Sequence, residues 1–209
     1  LLESLQALPG SYDVFTHAAG LLIAAGEYRE AVALIESRSL PQMESDPKIW
    51  VDLGLCYRNL GDFKKARAAY EAALAVDPTY PVVHNNLGTL ELAADRERPD
   101  PAAVERAAAR FAKAVELDPG YAAAHYGLGQ THYRSGRLDA AVASMTAAVQ
   151  ADPELADAHF YLGLALYRQK RFAEALSPLE TYRAKARGSL SAADLKKLDG
   201  VIAECRARK

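Results

Sequence analysis

The residues best able to do acid–base or metal chemistry near neutral pH are five histidines, and their spacing argues against both uses. His84, His125 and His159 stand at one recurring position of a repeated helix, the position that Trp50 fills in another copy. A metal ladder would need one imidazole from each of several units, each pulled out of a slot that an indole can occupy, so these rings read as packing groups. His17 and His132 have no clustered partner in the sequence. Cys56 and Cys205 lie in different elements with neither metal-site nor redox spacing, and read as free thiols. G-x-S-x-G, H-E-x-x-H, the phosphate-binding G-x-x-x-x-G-K-S/T and the calcium-loop pattern are all missing. The expectation is a chain with no catalytic residue, no metal and no cofactor, and no enzymatic activity of its own.

Composition narrows the partners. The net charge of −2 and a pI near 6.2 supply no electrostatic footprint for nucleic acid. With half of the 209 residues apolar, the chain still contains no run of 18 apolar residues, so no membrane span is expected. Length alone would allow one or two domains, but an internal period overrides that estimate.

That period is clearest in residues 47–80. Its fixed points are Trp50, Leu53, Gly54, Tyr57, Gly61, Phe63, Ala66, Tyr70, Ala73 and Pro78. They recur as His125, Leu128, Gly129, His132, Gly136, Leu138, Ala141, Met145, Ala148 and Pro153, then as His159, Leu162, Gly163, Leu166, Lys170, Phe172, Ala175, Leu179 and Tyr182. Gly54 to Gly88 and Gly129 to Gly163 are each 34 residues apart. Trp50, Leu53 and Tyr57 fall on one face of a first helix, and Phe63, Ala66, Tyr70, Ala73 and Leu74 stripe a second. Gly54 and Ala73 are small where two helices must approach, so a bulky replacement should overpack by roughly 1–3 kcal/mol. Gly61 marks the turn between helices, and Asp77-Pro78 and Asp118-Pro119 close units, since proline lacks the donor a continuing helix needs.

With W-x-x-L-G-x-x-Y, a small residue, F/Y-x-x-A and a closing proline held in register through several copies, the chain resembles the tetratricopeptide repeat family. The resemblance implies an all-α solenoid, a right-handed superhelix of about five helix-turn-helix repeats with a C-terminal capping helix. The expected organisation is 1–11, the end of a preceding repeat or an N-terminal cap; repeats at 12–46, 47–80, 81–121, 122–155 and 156–190; and a capping helix at 191–209. If LLESLQAL at the start ends an earlier repeat, the chain is a piece of a longer protein. About seven residues are inserted in the third unit, around Asp95–Pro101, as a solvated loop or a contact point. Pro178 should bend the last repeat's second helix. Ser191 with Asp194 reads as a capping box ahead of an apolar face made by Leu195, Leu198, Ile202 and Cys205. Residues 183–209 carry eight basic against three acidic side chains, a solvated face or a surface for an acidic partner.

The resemblance also implies where a partner would sit. In that family the first helices line a concave groove, and the matching positions here run from Lys48, Val51, Asp52, Leu55, Arg58 and Asn59 to Val82, Asn85, Asn86, Thr89, Leu92 and Ala93. They continue as Ala123, Tyr126, Gly127, Gln130, Tyr133 and Arg134, then Asp157, Phe160, Tyr161, Leu164, Tyr167 and Arg168. Asn59, Asn85, Asn86 and Gln130 would bond a peptide backbone, Tyr126, Tyr133, Phe160 and Tyr167 would pocket its side chains, and Arg58, Arg134 and Arg168 would receive carboxylates. Tyr133 and Tyr167 are expected to be exposed. The lysine and asparagine clamp by which some relatives hold a chaperone's C-terminal carboxylate is not kept, because Val51, Leu55, Ala123 and Gly127 stand at its positions. The asparagine ladder of glycosyltransferase relatives is reduced in the same way by Asp52, Gly127 and Tyr161. The function implied is a scaffold binding a protein or peptide. The alternatives are an accessory region of a larger enzyme and a self-association module forming a homo-oligomer.

Overall fold

Three closing turns begin with an aspartate that holds itself in place. Asp77 Oδ1 accepts from Thr79 N at 2.8 Å, Asp118 Oδ1 from Gly120 N at 2.9 Å and Asp152 Oδ1 from Glu154 N at 2.9 Å. The proline between the partners has no donor to compete, so Asp-Pro fixes the end of one helical hairpin and the start of the next. These turns belong to a computed structural model that describes residues 12–39, 45–93 and 100–209. Among the described residues every regular element is helical. The opening segment 1–11 and most of the insertion, residues 94–99, lie outside them.

The chain falls into two compact units, residues 1–90 and 91–209. The first holds α1 (Tyr12–Ala24), α2 (Tyr28–Leu34, continued by a π-helical turn Ile35–Ser39), α3 (Pro47–Asn59), α4 (Phe63–Val76) and α5 (Pro81–Ala93) as far as Leu90. The second holds α6 (Pro101–Leu117), α7 (Ala122–Arg134), α8 (Leu138–Ala151), α9 (Ala156–Arg168), α10 (Phe172–Lys185) and α11 (Ala192–Ala207). Within the second unit each helix packs on its sequence neighbour, and α7 also touches α9, the arrangement of an all-α solenoid.

Helix starts follow local chemistry. Asp46 accepts from Lys48 N at 2.8 Å ahead of Pro47, and Asp100 accepts from Ala102 N at 3.1 Å ahead of Pro101. Ser191 Oγ accepts from Asp194 N at 3.1 Å and donates to the Asp194 carboxylate at 2.7 Å, so α11 is capped where the sequence indicated. Helix α10 runs through Pro178 as one element from Phe172 to Lys185.

The cores are built by a small residue facing a large one. A Cβ on Gly54 would lie 2.5 Å from the Tyr70 ring, one on Gly129 2.8 Å from Met145, and one on Gly163 2.5 Å from Leu179. In the first unit Phe15, Ile35, Ile49, Leu53, Tyr70, Val83 and Leu87 are buried around these contacts. Tyr57 donates its hydroxyl to the Glu36 carboxylate, tying the π-helical turn to α3. In the second unit Met145, Leu162, Leu166, Leu179, Leu198, Ile202 and Cys205 are core residues, so three of the four side chains expected on the apolar face of α11 pack inward and Leu195 stays half-buried.

Candidate partner-binding surface

Helices α7 and α9 place four of the expected aromatics side by side. The Tyr161 ring lies edge-on to Tyr126 at 6.0 Å, to Tyr133 at 5.6 Å and to Phe160 at 5.6 Å between centroids. Phe160 in turn meets Tyr182 of α10 at 4.6 Å. Tyr161 and Phe160 are adjacent on α9, and Tyr126 and Tyr133 are seven residues apart on one face of α7, so a single helix pair generates the strip. Edge-to-face geometry is what aromatic quadrupoles prefer, and the four rings remain half-buried rather than closed into the core.

Polar groups complete the strip. Arg168 stacks its guanidinium over Tyr133 at 4.9 Å, and Arg134 ends α7 exposed; neither has a carboxylate partner among the described residues. Gln130 donates to the Tyr126 hydroxyl at 2.6 Å. Burial first, and then the nearby Asp157 carboxylate, push the Tyr126 and Tyr182 hydroxyls above the ordinary phenol range. Leu164 lines a cavity of about 330 Å³ with Phe160 and Tyr182.

Other expected positions lie elsewhere. Tyr167 is not on the strip: its ring meets Phe172 at 5.6 Å and its hydroxyl donates to Glu204 of α11 at 2.5 Å. Gly127 does not face a groove either, because a Cβ there would stand 2.4 Å from the buried Phe111 ring. Val51 is only 8% exposed and belongs to the first unit's core. In that unit Asn59 donates its amide to Leu55 O at 2.8 Å and Thr89 its hydroxyl to Asn85 O at 3.0 Å, so both are engaged within their own helices. Asn85 and Asn86 approach each other at 3.5 Å and stay half-buried, as does Arg58. Burial, opposed by Lys48 at 3.6 Å, raises the Asp52 carboxyl above its usual range. The basic excess of the C-terminal segment is largely matched: Arg183 pairs with Asp199, Arg206 with Glu180, Arg208 with Glu204, Lys197 with Asp194 and Lys185 with Glu154.

The three register histidines have a second job that packing arguments missed. Nε2 of His84, His125 and His159 lies 3.2, 2.9 and 3.0 Å from the carbonyl oxygen of Pro78, Pro119 and Pro153. A carbonyl only accepts, so Nε2 carries the proton, and each ring ties its helix to the preceding closing turn. The signal was the constant six-residue step from proline to histidine. Among the described residues no three histidines, cysteines or carboxylates are placed to hold a metal ion. No described helix is long and apolar enough to cross a membrane.

A stack of helical hairpins with one period, glycine-to-large-residue contacts and Asp-Pro closures defines a helical repeat protein. The chain belongs to the tetratricopeptide repeat family: residues 47–80, 104–156 and 131–189 match family models described as tetratricopeptide repeat, together more than half of its length. No curated protein matches the sequence. Among solved structures it is similar to PilW, described as a widely conserved type IV pilus biogenesis factor, at 22% identity over 94% of this chain and 91% of that one, with TM-score 0.72. A thermophilic repeat protein of Thermus thermophilus is 23% identical over 92% of this chain and 99% of that one, with TM-score 0.69. YrrB, described as a repeat protein with an unusual peptide-binding site, is 21% identical over 94% of this chain and 97% of that one, with TM-score 0.61. At these identities the likeness is one of fold.

Proposed function

We propose that the chain is a protein-interaction scaffold without chemistry of its own, and that the strip of Tyr126, Tyr133, Phe160 and Tyr161 with Arg134 and Arg168 receives an extended peptide from a partner. The observation that carries this reading is three half-exposed aromatics set edge-to-face around a fourth, Tyr161, beside two arginines that no carboxylate of the described residues engages. Rigid aromatics and arginine dominate binding energy because they bring large contact area and bidentate donors at low entropic cost. Gln130 and Leu164 border the strip. In the first unit Arg58 on α3 and Asn85 and Asn86 on α5 offer donors and acceptors to a peptide backbone, with Asn59 and Thr89 contributing acceptor capacity. YrrB, a relative in fold, carries a peptide-binding site by its description, which is consistent with this use of the fold.

The test compares proteins crosslinked to the wild-type chain with those crosslinked to a variant carrying Tyr133→Ala, Tyr161→Ala and Arg168→Ala. Capture should be lost while the helical circular dichroism is retained. Unchanged capture by a folded variant overturns the assignment.

A further inference from the structure

Phe160 of the strip also lines a cavity formed mainly by residues of α9, α10 and α11. Its walls are Phe160, Leu164, Tyr182, Leu190, Leu198 and Val201, and only Asp194 and Lys197 at the lip are charged. At about 330 Å³ it lies at the small end of the range for ligand sites, room for one large side chain and little more. Phe160 belongs to both features, meeting Tyr161 on the strip and Tyr182 in the cavity wall. The core borders this space without filling it: Leu198, Ile202 and Cys205 are buried on the packing face of α11, while Val201 packs against that core and stays half-exposed.

Charge selects the occupant. Arg134 and Arg168 have no carboxylate partner among the described residues, whereas Lys197 and Asp194 at the lip satisfy each other at 3.3 Å. Asp157, at the opposite end of α9 from Arg168, is the opposing charge beside the strip. A ligand with carboxylates at the arginine end therefore gains two charge-assisted contacts, and a basic ligand meets two guanidinium groups. Resting on the reading of the strip as a peptide site, we propose that this cavity seats one bulky apolar side chain of an acidic peptide segment whose carboxylates engage Arg134 and Arg168. Leu164 and Phe160 stand four and eight residues before Arg168 on α9, a rise of roughly 6–12 Å. An extended peptide covers about 3.3 Å per residue, so the anchor and its nearest acidic residue should lie about two to four positions apart.

Random dodecapeptides displayed on phage and selected on the whole chain test this without knowledge of the partner. The expected consensus is one leucine, methionine or phenylalanine with aspartate or glutamate two to four positions away. A fluorescein-labelled peptide of that consensus, followed by anisotropy, should bind at least tenfold more weakly to Val201→Phe, which fills the cavity with a tolerable apolar group, and to Arg168→Glu. Replacing the peptide's anchor with alanine should cost the wild type the same factor and cost Val201→Phe little. Peptides lost with Arg168→Glu but lacking an apolar anchor, or indifferent to Val201→Phe, overturn the cavity and leave the strip standing. Enrichment of basic peptides overturns the charge argument. No enrichment, or binding indifferent to every one of these variants, overturns both. A dimer in sedimentation that Val201→Phe dissociates would assign the cavity to a second copy and overturn the peptide.

Discussion

Among the described residues four helical hairpins turn on a residue in the left-handed region, and one of the four is a lysine. Gly26, Gly61 and Gly136 have φ of +80°, +82° and +72°, and Lys170 takes +63° at the equivalent place. The hydrogen bonding is the same in each. The left-handed residue donates three back, as Gly136 N to Tyr133 O at 3.1 Å and Lys170 N to Tyr167 O at 2.9 Å. Its successor donates five back, as Arg137 N to His132 O at 2.9 Å and Arg171 N to Leu166 O at 3.0 Å. The last turn thus keeps its form without the residue that suits it. A side chain in this region costs about 1–2 kcal/mol through the clash of Cβ with the carbonyl. Glycine's larger freedom in the unfolded chain returns roughly 0.5–1 kcal/mol of that. Lys170→Gly should therefore stabilise by about 0.5–1 kcal/mol, and Gly136→Lys should destabilise by a similar amount.

The assay is urea unfolding followed by far-ultraviolet circular dichroism. At about 2 kcal/mol/M, the midpoint should rise by roughly 0.3–0.5 M for Lys170→Gly and fall by as much for Gly136→Lys. Lys170 is exposed, so lost side-chain contacts do not confuse the reading. A lower midpoint for Lys170→Gly, or an unmoved one for Gly136→Lys, would refute the backbone argument.

Other perturbations address the core and its ionisation. The Tyr70 hydroxyl is fully buried with no partner, and Phe111 is likewise buried beside a glycine, Gly127, without one, so Tyr70→Phe should be neutral or stabilise by about 1 kcal/mol in the same urea assay. Gly163→Val drives methyl groups into Leu179 and should cost about 1–3 kcal/mol, read as a lower melting temperature. His159→Phe keeps the ring but strips the Pro153 carbonyl of its donor, and should cost about 1 kcal/mol by thermal melting. Burial raises the Cys56 thiol from 9.0 to about 11 and the Tyr70 hydroxyl from 10.0 to about 12. Both acids are held protonated by the fold, so their contribution is complete below pH 9 and declines as pH rises through 9–12, where the unfolded chain sheds the protons first. Stability measured from pH 8 to 11 should fall, and Tyr70→Phe should flatten the upper part of that fall.

What could be read from the sequence was whatever the 34-residue period dictates, because packing is the same problem solved in each copy. Gly54 was expected to be small where two helices approach, and it faces Tyr70, while its counterparts in later copies, Gly129 and Gly163, face Met145 and Leu179. Side chains lying one position off that face were harder. Gly127 sits two residues before the register glycine Gly129, and whether it faces a groove or a neighbour depended on Phe111, which projects from the helix after the insertion. Tyr167 was assigned by analogy with Arg58 and Leu92, but the hairpin of α9 and α10 is followed by α11, whose Glu204 captures the hydroxyl. Tyr182 was legible only as a register residue, since nothing local shows that its ring reaches back to Phe160.

The same contrast explains why the strip is read as a surface for a partner. Tyr167 shows what an aromatic on α9 does when the fold has a use for it: it meets Phe172 and gives its hydroxyl to a carboxylate of α11. Tyr126, Tyr133 and Tyr161 sit on the same two helices, yet they stack on one another and stay half-exposed, and only Tyr126 has a bonding partner for its hydroxyl, Gln130. Arg171 and Arg183 likewise show the ordinary fate of arginine here, a carboxylate within 2.6 and 2.5 Å, whereas Arg168 rests on a tyrosine face. Hydrophobic area and guanidinium donors left over after folding lower free energy only when something else covers them. Tyr126, Phe160 and Tyr161 pack one side against the second unit's core and, with Tyr133, Arg134 and Arg168, keep exposed surface available for that second event.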